Sequence, residues 1–161
     1  MIQDERMKSK ILSLAILVVL SSAGIALSQE EFDPEPIIEG RQAALRDIGA
    51  AFKNINDECK KSQPSLGVIR QYANQIDDFA KQQKFWFPPG TGPETEIEMK
   101  AKPEIWKQPA EFKAGQAAMS EGASKLAKVA AGQDLAAIKA QVQALGRTCK
   151  SCHDKFREED D

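Results

Sequence analysis

Near the end of the chain two cysteines and a histidine stand together as Cys149-Lys150-Ser151-Cys152-His153. On a helix, residues three apart share a face, so both thiols point the same way, and the histidine, one turn beyond Cys149, aims its imidazole to the same side. Thiols so placed can form thioethers with the two vinyl groups on one edge of a porphyrin while the imidazole binds the iron, and this is the spacing of c-type haem attachment. The pentapeptide therefore predicts one covalently bound haem c, held through Cys149 and Cys152, with His153 as the metal ligand. A thioredoxin-like pair would instead expose and acidify its first cysteine at the start of a helix that follows a strand. A zinc site would need two further ligands, and the remaining cysteine is Cys59.

His153 is the only histidine in the sequence, so two histidines of one chain cannot flank the iron. The sixth position falls to a methionine, another weak ligand, water or nothing. Past the first residues the methionines are Met99 and Met119, and a methionine on an apolar helix face is more often core filler than ligand.

The elements that must hold these groups read as helices. Ile38, Arg41, Leu45, Ile48, Phe52, Ile55 and Cys59 recur three and four apart, with Pro36 in the first turn and Ser62-Gln63-Pro64 at the end, which predicts one helix of about 24 residues. A second stripe is Ile69, Tyr72, Ile76, Phe79 and Ala80. From Lys84 to Gln108 periodicity fails among Pro88, Pro89, Pro93 and Pro103, and Phe85, Trp86, Phe87 and Trp106 predict that this long loop packs down on a core or ligand. Pro109 opens a third helix, with Phe112, Gly115, Met119, Gly122, Leu126 and Val129 inward and Gly132 at its end. Two glycines on that stripe leave room for a close helix or a flat cofactor. Asp134 caps a fourth, with Leu135, Ile138, Val142, Leu145, Cys149, Cys152 and Phe156 inward. No strand-like alternation or internal repeat is present. The expected fold is all-α, an antiparallel four-helix bundle with a long loop between helices 2 and 3.

The first residues read as a secretion signal: Lys8 and Lys10, the apolar run Ile11 to Leu20, then small residues up to Ala26-Leu27-Ser28. Cleavage after Ser28 is expected, with an uncleaved membrane anchor as the rival; a spanning helix usually needs about 20 apolar residues. Asp4 and Glu5 are unusual so close to a signal and point to Met7 as the true start. Residues 29–161 then form one periplasmic domain with a single core and no membrane attachment. The removed segment carries Arg6, Lys8 and Lys10 against Asp4 and Glu5, so a whole-chain charge of −2 becomes about −3 for the domain. A mildly acidic chain of mixed charges offers no basic stripe for nucleic acid, so its partners are small molecules or proteins. Three cysteines do not make a disulfide framework, and outside the cytoplasm a bare cysteine pair would oxidise, which adds weight to haem attachment.

At this point the chain resembles a known family, the cytochromes c′, which are class II c-type cytochromes with haem near the C-terminus. Arg41-Gln42-Ala43-Ala44-Leu45 is similar to the family's first-helix motif, and Phe87-Pro88-Pro89-Gly90-Thr91 and Lys102-Pro103-Glu104-Ile105-Trp106 are similar to its loop signatures. Cys149 to Arg157 resembles its haem-binding end closely. The resemblance implies that His153 is the proximal ligand, that Arg157 lies beside it, and that Leu45 is the apolar residue covering the distal side. In low-spin relatives a methionine ligand comes from the first helix, and here Gln29 to Lys60 contains none, so five-coordinate, high-spin iron is expected.

A distal pocket of Leu45, Phe52 or Phe87 has no hydrogen-bond donor for dioxygen but admits NO or CO if a side chain moves. Arg41, a charge on the inner stripe, needs a partner, and a haem propionate is the natural one; the rival is a side chain reaching out from the bundle edge. Cys59 reads as a buried, inert thiol rather than an intermolecular disulfide. The expected function is gas binding, with sequestration or relay of NO, possible electron transfer to an unknown redox partner, and a homodimer formed through the first two helices. The alternatives are a low-spin electron-transfer cytochrome using Met119 or Met99, and an enzyme such as a nitric oxide reductase.

Overall fold

The computed structural model describes residues 32–159. Four long helices dominate them: α1 (Glu35–Lys60), α2 (Leu66–Gln82), α4 (Pro109–Ala131) and α5 (Leu135–Phe156), with a one-turn helix α3 (Glu104–Lys107) inside the long connection. The expected antiparallel four-helix bundle is what forms. The signal sequence read over residues 1–28 lies outside the described residues. Among the latter, no helix is long and apolar enough to cross a membrane.

Local chemistry accounts for the helix ends. Pro36 occupies the first turn of α1, whose acidic start at Glu35 and basic end at Lys60 both complement the helix dipole. Ser65 caps α2 by accepting from the Val68 N–H, and Asp134 caps α5 by accepting from the N–H groups of Ala136 and Ala137. α4 ends at Ala131 with Gly132 as its cap, as expected, and that glycine keeps a right-handed φ of −76°. The positive φ of 62° falls on Gln133, directly before the Asp134 cap.

The core joins Ala51, Ile55, Ile69, Ala73, Ile76, Leu126, Ile138 and Leu145, drawn from all four long helices. Each fully buried aliphatic side chain there contributes about 1.5–3 kcal/mol. Alanines on α2 and α4 let these two helices approach closely. Buried polar groups are matched: Gln83 and Gln116 donate to each other's backbone carbonyls, at 2.9 and 2.8 Å, and Gln141 donates to the Gly122 carbonyl. Gly122 admits a neighbouring helix, since a Cβ there would stand 3.0 Å from Leu145 Cδ1.

The long connection is ordered by specific contacts. Its far end is tied to the end of α5: the Lys102 N–H donates to the Phe156 carbonyl and the Glu158 N–H to the Lys100 carbonyl, forming a short bridge between Ala101 and Arg157. Ile105 and half-buried Trp106 turn inward with Phe87, Phe112 and Phe156 to form a second cluster. Phe85 departs from the expectation that it packs beneath the loop. It is 71% exposed. It lies in a single 3-10 turn directly after α2, where its ring faces out and is crossed by the Lys84 ammonium at 4.8 Å.

Candidate haem-binding site

Cys149, Cys152 and His153 all lie within the last two turns of α5. The two thiols face α4: the Cys149 Sγ is 3.8 Å from the Met119 Sδ, and Cys152 sits against Gly115, where a Cβ would come 3.4 Å from its Sγ. Gly115 thus keeps the space beside the attachment cysteine free of side chain. Burial pushes both thiols above the ordinary cysteine range, and Cys152 adds to the effect on Cys149. A redox-active pair depends on a depressed thiol, so this environment disfavours thioredoxin-like chemistry. His153 is exposed, and its carbonyl accepts from the Arg157 N–H as the helix ends.

The opposite wall comes from α1. The two helices run antiparallel, and Phe52 meets Gly146, where a Cβ would be only 3.2 Å from the ring. Seven residues earlier on α1 is Leu45, and seven later on α5 is His153. Both therefore stand roughly 10 Å along the groove from that crossing, at the same level. Leu45 is 41% exposed, although Ile38 and Ile55 on the same stripe are fully buried. An exposed leucine on an otherwise buried stripe, with Ile48 and Phe52 half-buried beside it, leaves apolar surface that a flat cofactor could cover. Paired thiols on one wall, a histidine at their side and an apolar residue level with it across the groove fit a covalently bound haem. The same donors suit no metal ion alone: among the described residues no cluster of three or more His, Cys, Asp or Glu side chains is placed to hold one.

Arg41 is buried at the start of α1. It is 2% exposed, and a propionate was its expected partner. The protein itself provides partners. Nη1 donates to the Thr91 Oγ1 at 2.9 Å and the Trp86 carbonyl at 3.3 Å, and Nη2 donates to the Thr91 carbonyl at 2.8 Å and the Met99 Sδ at 3.2 Å. The guanidinium also lies over the Phe87 and Trp106 rings, at 4.8 and 5.6 Å. Burial lowers its pKa to about 10, with the Glu94 charge opposing the shift, so it remains a cation at neutral pH. The loop folds back over the start of α1 and so brings the Trp86 and Thr91 carbonyls to the guanidinium.

The other candidates are distributed as follows. Phe87 packs edge-on against Phe112, with centroids 4.9 Å apart, and, like Cys152, it packs on the cluster of Ile105, Phe112 and Phe156. Arg157 is half-buried after α5, its backbone fixed by the bridge to Ala101. Cys59 is buried at the end of α1, and burial raises its thiol too. Sequence reasoning missed Thr91. It is 0% exposed, accepts from Arg41, and donates from Oγ1 to the Pro88 carbonyl at 2.8 Å. Its place at the end of a Pro-Pro-Gly-Thr turn was the available signal.

Fold and site together define a four-helix c-type haem protein. The family model of cytochrome C′ matches residues 36–157. A cytochrome c′ of Pararhodospirillum photometricum is 33% identical over 125 residues, covering 78% of this chain and 98% of the relative. The solved structure of a cytochrome c′ with an unusual ligand-controlled dimer dissociation is 27% identical, with a TM-score of 0.74, covering 80% of this chain and 99% of the other. The nitric oxide complex of a leucine-to-alanine variant of cytochrome c prime from Alcaligenes xylosoxidans is 29% identical, with a TM-score of 0.72, covering 81% and 100%. The chain belongs to the cytochrome c′ family and is a haem protein.

Proposed function

We propose that this protein is a periplasmic cytochrome with high-spin, five-coordinate iron that binds NO and CO, and that it can also pass electrons. The observation that carries this reading is Leu45, apolar and open, at the level of His153 across the groove between α1 and α5. When bound, the haem supplies an iron whose distal face can take up a neutral diatomic ligand. Cys149 and Cys152 would fix the porphyrin edge, His153 would supply an imidazole nitrogen to the iron, and Arg157 follows His153 by one helical turn. Leu45, Ile48 and Phe52 exclude water from the distal side and offer no donor to a polar ligand, so size and the movement of Leu45 set access.

The low-spin alternative requires a methionine across from His153. Met99 is bonded to Arg41, and Met119 lies on α4 against Cys149, on the attachment side. Secretion with cleavage after Ser28, residues 29–161 as the mature domain, and a homodimer through α1 and α2 complete the proposal. For the gas and the dimer, the solved relatives named above supply the support: one is a nitric oxide complex and the other a ligand-controlled dimer. The test is the CO affinity of Leu45→Ala in the haem-loaded protein. An increase is expected, on the order of tenfold or more, since removing a side chain that must be displaced returns about 1–3 kcal/mol of steric opposition. Unchanged or weaker affinity would refute the steric gate.

A further inference from the structure

The four donors of Arg41 reach three separated points of one loop, Trp86, Thr91 and Met99, and next to it the Gln42 Nε2 donates to the Glu98 carbonyl at 2.9 Å. One turn further along the same helix is Leu45. From this juxtaposition we infer that Arg41 is a positioning residue for the distal gate: it locks the turn of α1 that bears Leu45 to loop 86–99, and thereby sets how readily Leu45 can move. The inference rests on the gas-gate reading above and assigns regulation of that gate to a residue outside the groove.

The physical case has three parts. A guanidinium that is 2% exposed cannot exchange its loop partners for water without opening the structure, so the latch is either closed or locally unfolded. Its partners are themselves fixed, since the Pro88 carbonyl accepts from both the Thr91 hydroxyl and the Trp106 Nε1, at 2.8 and 3.1 Å. Loop and helix turn are therefore joined as one rigid unit rather than by a single contact. Finally, Leu45 lies on α1 between two anchors, the loop contacts of Arg41 and Gln42 on one side and the buried core positions Ala51 and Ile55 on the other. Loosening one of the two anchors gives the turn freedom to move aside.

The experiment uses the haem-loaded protein, with Arg41→Lys as the perturbation. Lysine keeps the charge but cannot reach three acceptors in a planar fork. Two readouts are taken: amide hydrogen exchange of residues 42–48 and 86–99, and the CO association rate, each compared with wild type, Leu45→Ala and the double variant. Faster exchange in both segments is expected, with CO association raised on the order of threefold to thirtyfold. In the Leu45→Ala background the same substitution should add little, because the gate it steadies is gone. Faster exchange in the loop alone, with residues 42–48 unchanged, overturns the coupling. Faster exchange in both segments with an unchanged CO rate overturns the gating role, provided Leu45→Ala itself binds CO faster. An unchanged rate in Leu45→Ala instead refutes the gas-gate reading and this inference with it, so the two failures are told apart. Gln42→Ala, which removes the exposed neighbouring bond, is a milder second perturbation that keeps the test available if Arg41→Lys folds poorly, and the same outcomes decide it.

Discussion

Replacing Thr91 by valine would measure how firmly the long loop is held. The side chain is wholly buried, and its Oγ1 accepts from the Arg41 Nη1 at 2.9 Å while donating to the Pro88 carbonyl at 2.8 Å. Valine keeps the volume and removes both bonds. The Pro88 carbonyl retains the Trp106 Nε1 as donor, so that loss is close to 0.5–1 kcal/mol, roughly that of a neutral hydrogen bond. Nη1 is left with the Trp86 carbonyl at 3.3 Å, and losing a charge-assisted bond in a buried place costs about 1.5–3 kcal/mol. The total, about 2–4 kcal/mol, is a large share of a domain's roughly 5–15 kcal/mol. For a chain of this size it corresponds to a fall in Tm of roughly 8–15 °C. The assay is urea unfolding of the haem-loaded protein, where the midpoint should fall with the slope unchanged. Thr91→Ser keeps the hydroxyl and should lose only about 1 kcal/mol, the share of one buried methyl group. A valine variant within about 0.5 kcal/mol of wild type, or a serine variant as weak as valine, would show that the Thr91 hydroxyl does not hold the loop.

Two further outcomes follow from local geometry and charge. Gln133→Gly should raise stability by about 0.5 kcal/mol, because glycine relieves the left-handed φ of 62° and gives back part of that gain as unfolded-state entropy; a lower midpoint in urea would contradict it. The Glu58 carboxylate is held below its ordinary value of 4.5, first by Lys61 and then by the Ser65 N–H, and Asp57 is lowered by Lys53 and Lys60. A depressed carboxylate stabilises the fold above its unfolded pKa, and that contribution is lost as pH falls through the lower, folded value. Stability should therefore decline below about pH 4.5, and Glu58→Gln should flatten that decline; identical profiles would count against the assignment.

The helices were legible because their burial pattern is local. Ile38, Ile55, Ile69, Ile76, Leu126, Ile138 and Leu145 sit at three- and four-residue spacings and are buried in the structure. The attachment motif was legible for the same reason, since its geometry lies within two turns of one helix. The loop was not. In a segment without periodicity, nothing in the sequence distinguishes Phe85, which turns to solvent, from Phe87, which turns to the aromatic cluster. Arg41 was recognised as a charge in need of a partner, but its partner Thr91 lies 50 residues away and is chosen by the path of the chain. Gln116 and Gln141 show the same limit: each is a polar residue buried because a particular carbonyl of another element stands opposite it. The end of α4 at Gly132 is legible in the sequence, while nothing in it marks Gln133 as the residue with positive φ.

In the proposed site the iron is bound by His153 on one side and screened by Leu45, with no protein ligand, on the other. The electron paramagnetic resonance and visible spectra of the ferric, haem-loaded protein test it most directly. A high-spin signal is expected, with no methionine-to-iron band at the red edge of the visible spectrum. A low-spin signal accompanied by that band, and abolished by substituting Met119 or Met99, would contradict it.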